Sequence, residues 1–374
     1  VRRIGGVICL CLATLGAAAC GGGAAAGGPR ADAAADTGAA ASRDPLRWPF
    51  STTSIWNTPI GSGAVYVPAG IVPATAYGMT VDQDLIVMRP SAPALTVMTT
   101  TADWDNTKDR CPPSSPALFT APVPDDFVFA PVLPNTPNAS TAILAADGRT
   151  LKQTQPFSRC TAAGPATSHY DSADVDIAGD GATGAHGGSG LSAIGGTLRI
   201  GELRPDGPPV RHALKVELDA ALNYGACATY SDCYRWPATQ ADTYATTGYG
   251  GANPALEPGA LLAIPAAVDV AQLGLETPAA AMLAFTLQNY GAYVVDDVAW
   301  AVYALCVELG PDGDFTQQFQ SDWGFTMTPS SKNTPWARDM DRLFGVLAVV
   351  DDNTAATPGG GGTPLQPPAP PLAI

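Results

Sequence analysis

Glycine and proline interrupt this chain so often that long helices have little room: 40 Gly and 35 Pro stand among 374 residues. Glycine weakens the interior of any regular element, and proline removes a backbone donor. Between these breaks lie short apolar or alternating runs that read as strands: Val81–Met88, Ala94–Thr99, Phe127–Val132, Ala142–Ala146, Thr150–Gln155, Thr197–Leu203, Val210–Leu218, Gly259–Pro265, Ala292–Asp296 and Ala299–Leu309. Asp147-Gly148 makes a hairpin turn. One segment, Thr277–Tyr290, carries full helix signals: Thr277 as cap, Pro278 in the first turn and Gly291 as the stop. Trp336–Phe344 predicts a second, shorter helix. The expected fold class is mainly β, an antiparallel β-sandwich of jelly-roll type with one or two packed helices.

The ends of the chain differ from its middle. Arg2 and Arg3 precede an apolar run, Ile4–Ala19, that closes on small residues, the pattern of a signal peptide over residues 1–19. Cys20, followed by three glycines, is placed for lipid attachment. Residues 20–44 are rich in Ala and Gly and read as a lipoprotein-type linker. Residues 45–352 form the expected β-rich domain, and 353–374 read as a disordered Pro/Gly tail. The expected address is extracellular or cell-surface, with membrane contact only through an anchor at Cys20.

That address bears on the cysteines. In an oxidising compartment Cys227 and Cys233 suit a small-loop disulfide, and Cys111 and Cys160 a longer one. Cys306, in the apolar run VYALCVEL, reads as a buried thiol, and the cysteine spacings do not form a zinc pattern. The net charge of −15 opposes binding to a phosphate backbone, so nucleic acid is not an expected partner, whereas a neutral polysaccharide is compatible.

Asp174–Leu203 concentrates chemistry. Nine of its thirty residues are Gly, yet it holds Asp174, Asp176, Asp180, His186, Ser189, Ser192, Arg199 and Glu202. Ordering so flexible a stretch has a large entropy cost, so the polar groups on it are candidates for a site wall. Asp174 and Asp176 fall on one face of an extended segment, the arrangement that a carboxyl pair for glycoside hydrolysis needs. No cofactor is expected, although the same acids with Asp180 leave room for a structural calcium; the spacing is not that of an EF-hand. His186 among glycines suits proton transfer. His212 sits on one face of VRHALKVEL with Val210, Leu214, Val216 and Leu218, while Arg211, Ala213, Lys215 and Glu217 share the other. Gly187-Gly188-Ser189-Gly190-Leu191 fails the nucleophile-elbow pattern at its last position, which disfavours a serine hydrolase.

Several segments carry a resemblance: Trp56-Asn57-Thr58, Arg199 and Glu202 in LRIGEL, Arg211-His212-Ala213-Leu214, Trp236-Pro237-Ala238, Leu261–Pro265 and LQNYGAYVVD from Leu287 to Asp296. In order and spacing the chain resembles a broad group of secreted bacterial proteins of unassigned activity. The resemblance directs attention to Glu202, His212, Trp236 and Asp296.

The functional expectation is a carbohydrate-active enzyme, a glycoside hydrolase acting on extracellular polysaccharide. Glu202 with Asp174 or Asp176 would form the carboxyl pair, and His186 and His212 would assist. Arg199, Tyr234, Trp236, Asp242 and Trp56 would bind substrate, the aromatics by stacking on sugar rings. A polysaccharide lyase using His186, His212 or Tyr234 with Arg199, Arg211 or Arg235 is the second reading, and a non-catalytic glycan-binding surface lipoprotein the third.

Overall fold

The computed structural model describes residues 42–374. The expected signal peptide, Cys20 and all but the last residues of the linker lie outside the described residues. A single 12-stranded sheet dominates. Across it run Tyr66–Pro68, Ala348–Val350, Leu261–Ala263, Ala292–Asp297, Leu214–Leu218, Tyr303–Gly310, Met79–Val87, Thr141–Leu144, Thr150–Gln155 and Tyr170–Asp171. Gly313–Asp314 and Val175–Asp176 add to its sides. The protein is mainly β, as composition implies, but the sheet is mixed rather than antiparallel throughout. Leu214–Leu218 runs parallel to Ala292–Asp297, and Met79–Val87 runs parallel to both its neighbours.

The central strands are covered on both faces. Leu214, Val216 and Leu218 point into one core with Val294, Leu305 and Val307. Over that core lie the helices Pro278–Asn289, Phe315–Trp323 and Pro335–Gly345. The first starts as its sequence requires, with the Thr277 hydroxyl accepting from Ala280 N–H. Buried Asp339, on the third helix, accepts from the N–H groups of Glu276 and Thr277 and so ties the two helices together. On the other face Phe50, Trp56, Ile60, Ile177, Leu191 and Ile194 pack against Ile86, Tyr293 and Val295. A smaller sheet of Ala94–Thr99, Ser114–Pro122 and Ala166–Ser168 closes a third core around Val97, Phe127 and Phe157.

Four local expectations change. Phe127–Val132 is not a strand; Phe129 alone makes a bridge, to Arg159. Thr197–Leu203 is not a strand; Leu198 alone makes a bridge, to Val307. The Val210–Leu218 run is a strand only over Leu214–Leu218, so His212 precedes it. The Pro/Gly segment 353–374, expected to be disordered, is laid along the start of the domain. Leu365 N–H donates to Ile60 O at 2.8 Å and Arg43 N–H to Pro371 O at 2.9 Å. Gly61 allows this approach, because a Cβ there would meet Gly361 O at 1.8 Å. Both expected disulfides, Cys111–Cys160 and Cys227–Cys233, are present, and Cys306 is a buried free thiol. They are compatible with an extracellular protein. Among the described residues no helix is long and apolar enough to cross a membrane.

Candidate functional site: a buried acid–histidine centre

The face of the sheet beneath the Gly-rich stretch is not apolar throughout. Alternation along Met79–Val87 puts Asp82 and Asp84 on one face. Cys306 stands opposite Asp82 in the register of the neighbouring strand. Lys215 and Glu217 occupy the corresponding face of Leu214–Leu218, and a bulge after Val216 sets Glu217 beside Asp296. His186 closes the short strand Thr183–His186 and enters this group fully buried. Its Nε2 lies 3.4 Å from Asp84 Oδ1, 3.5 Å from Cys306 Sγ, 3.7 Å from Glu217 Oε1 and 3.8 Å from Asp82 Oδ2. Its Nδ1 faces Asp296 Oδ2 at 3.5 Å.

Charge neutralisation holds the stretch down. Lys215 Nζ lies 2.8 Å from Asp84 Oδ2 and donates to the carbonyls of Ser192 and Ala193 at 3.0 and 3.2 Å. The Thr197 hydroxyl donates to Asp84 Oδ2 at 2.6 Å. Arg199 pairs with Glu308 at 2.8 Å one strand-end further on. Burial by itself would raise the Asp84 pKa, but the Lys215 charge and His186 outweigh it and hold the carboxyl below its ordinary value. Asp82 lacks the lysine, and burial pushes it up to about 6 although His186 pulls the other way. Glu217 is raised well above the ordinary range by burial and by the charges of Asp82 and Asp296. Burial also raises the Cys306 thiol.

Toward the surface the acids continue. Oxygens of Asp242, Asp296 and Asp297 lie within 4.8 Å of one another. Tyr249 OH donates to Asp242 Oδ2 at 2.7 Å, and Tyr244 OH to Asp297 Oδ2 at 2.5 Å. Asp242 is pushed up to about 8, first by burial and then by the charges of Asp296 and Asp297. Asp297 rises to about 6 for similar reasons. Gly187 and Gly188 form the wall: a Cβ on Gly188 would sit 2.9 Å from Asp296 Oδ1 and 3.1 Å from Asp242 Oδ2. Asp296 and Asp297 end a strand parallel to Leu214–Leu218, and the carboxyl ends of parallel strands are where open sheets bind ligands.

Of the residues expected from sequence, His186, Asp242 and Asp296 belong to this centre, though His186 is buried rather than exposed on a loop. Asp174 and Asp176 do not join it. They form exposed ion pairs with Lys152 at 2.6 Å and Arg149 at 2.7 Å, and Asp180 caps Ala182 N–H. The Glu202 carboxylate instead meets His212 Nε2 at 3.1 Å and accepts from Arg199 N–H. His212, Arg199 and Trp56 line a separate small crevice with Trp48 and Asn57. Trp56 is no sugar platform: it is buried, its Nε1 donates to Gly181 O at 2.7 Å, and its ring meets Tyr293 edge-on. Tyr234 and Trp236 are half-buried and pack against the two main cores. Arg199 and Arg235 are engaged by Glu308 and Asp351, which leaves neither free for a uronate. Sequence reasoning missed Asp82, Asp84, Lys215, Glu217 and Asp297. The available signal was a pair of charges two apart inside an apolar run, in VDQDLIV and LKVEL.

Gly188→Ala tests whether the wall matters. The added methyl falls between two carboxylates, so the fold should survive with an unchanged far-ultraviolet circular dichroism spectrum. Activity that uses these carboxyls should drop by about 10²-fold, the cost of displacing reacting groups by about 1 Å. Neither known family models, nor curated proteins, nor solved structures give a match to this chain.

Proposed function

We propose that this protein is an extracellular hydrolase of polysaccharide whose working carboxyls are Asp242 and Asp296. One observation carries the reading. Asp242, partly buried and beside two further acids, keeps its proton near neutral pH within 4.8 Å of Asp296. A glycosidic oxygen needs a proton donor, and the sugar carbon needs a carboxylate or an activated water. Tyr244, 44% exposed and bonded through its hydroxyl to Asp297, would offer a ring face at the same strand end. The net charge of −15 favours a neutral polymer over a uronic one. Asp242 and Asp296 replace the pairing of Glu202 with Asp174 or Asp176, because those aspartates are taken by Lys152 and Arg149.

The test is sugar release from a panel of neutral and uronic polysaccharides. New reducing ends without ultraviolet absorbance are the expected result. An unsaturated product would mean a lyase. Retention on polymer with no product would mean a binding protein, and either outcome overturns the assignment.

A further inference from the structure

We propose that the buried centre at His186 is a divalent-metal site of the zinc class, held by His186 Nε2, Cys306 Sγ, Asp84 Oδ1 and Asp82 Oδ2, with Glu217 packed beside the thiol. The spacing of the donors is the first argument. Zinc bonds of about 2.0–2.3 Å in a tetrahedron place ligand atoms about 3.3–3.6 Å apart. His186 Nε2 is 3.4 Å from Asp84 Oδ1 and 3.5 Å from Cys306 Sγ, and Cys306 Sγ is 3.5 Å from Glu217 Oε1. Asp82, Asp84, His186 and Cys306 all offer an atom within 4.8 Å of one another.

The second argument is the orphaned oxygens. Asp84 Oδ1 and Asp82 Oδ2 are buried and have no hydrogen-bond partner, and both point at the imidazole. The other Asp84 oxygen is fixed by Lys215 and Thr197, which aims Oδ1 as an outer-shell partner aims a metal ligand. His186 Nδ1, also unpartnered, faces Asp296 Oδ2, the carboxylate–histidine relation that sets the tautomer of a metal-bound imidazole. Four carboxyls and a thiol surround one imidazole and one lysine, so a dication balances much of the local charge.

Donor chemistry selects the metal. A thiolate and an imidazole suit zinc, whereas calcium takes six to eight oxygens. His186, Asp84, Glu217 and Cys306 are at most 2% exposed, so the shell is closed and the role is structural, joining three sheet strands to the Gly-rich stretch. Binding releases the thiol proton and any carboxyl proton to solvent, with no redox change.

The experiment uses the full chain secreted from an oxidising host. Elemental analysis after desalting should find about one zinc per chain, and chelation should lower Tm by at least about 5 °C. Cobalt(II) added to the stripped protein should give thiolate-to-cobalt charge-transfer bands, and zinc should protect Cys306 from alkylation, read on its own peptide. Cys306→Ser should lose the bands and most of the metal. If that variant does not fold, the cobalt spectrum and the Cys306 protection decide alone. Stripped protein that takes neither metal, or bound metal with no thiolate bands and no protection, overturns the site. None of these readouts involves sugar release, so failure here is distinct from failure of the hydrolase assignment.

Discussion

Lys215→Met should destabilise the fold by about 3–5 kcal/mol, the loss expected when one partner of a buried ion pair is removed and the other stays charged. Lys215 is fully buried in Leu214–Leu218, and its ammonium is the close cation for Asp84, itself 0% exposed. Methionine fills a similar volume, so the loss isolates charge rather than a cavity. The ammonium also donates to Ser192 O and Ala193 O, so the variant frees the middle of the Gly-rich stretch as well as weakening the sheet. Two measurements check this. Denaturant unfolding should show a lower midpoint at unchanged slope. Amide exchange should rise most around residues 187–197 and least in the helix Pro278–Asn289. A loss below about 1 kcal/mol, or uniform exchange, would mean that Asp84 is neutral in the folded protein.

Lys215 also shows why much of the site was illegible. Alternation in LKVEL is the same whether its polar face meets water or a buried charge network. Only the partner strands decide, and they lie about a hundred residues away in either direction, at Asp84 and Cys306. The parallel pairing was hidden for a related reason: strands buried on both faces carry charges where a continuous apolar run would be expected. By contrast, Thr277-Pro278 and Gly291 are local signals, and the helix they bound is found at Pro278–Asn289. The helix Phe315–Trp323 was overlooked because its only large apolar residues are Phe315, Phe319 and Trp323, a four-residue spacing amid polar neighbours. Its cap, Asp314, was readable. Asp174 and Asp176 stand apart from the buried centre, which sequence alone does not reveal because an acidic Gly-rich stretch looks alike as a site and as a turn. The Lys152 and Arg149 that neutralise them come from an adjacent strand and turn.

Asp242→Asn should remove hydrolysis by about 10²–10⁴-fold, the usual contribution of a positioned general acid, while leaving the fold intact. The amide keeps the shape and the Tyr249 contact but cannot deliver a proton to a leaving oxygen. Stability provides an independent check through linkage. Asp242 is raised from its ordinary value to about 8, so between those values the folded state binds more protons than the unfolded state. Stability from this group is therefore full at acid pH and is lost as pH rises toward 8. The wild-type Tm should fall across that window, and Asp242→Asn should flatten the fall and raise Tm above pH 8 by relieving repulsion with Asp296 and Asp297. The wild-type rate should fall on its alkaline side near the same pH, because the acid is then ionised. If Asn at 242 flattens the stability curve yet leaves the rate and its alkaline limb unchanged, the carboxyl is buried and raised but takes no part in the chemistry. The proton donor would then have to be sought at Asp297, whose pKa near 6 and Tyr244 partner make it the next acid at that strand end.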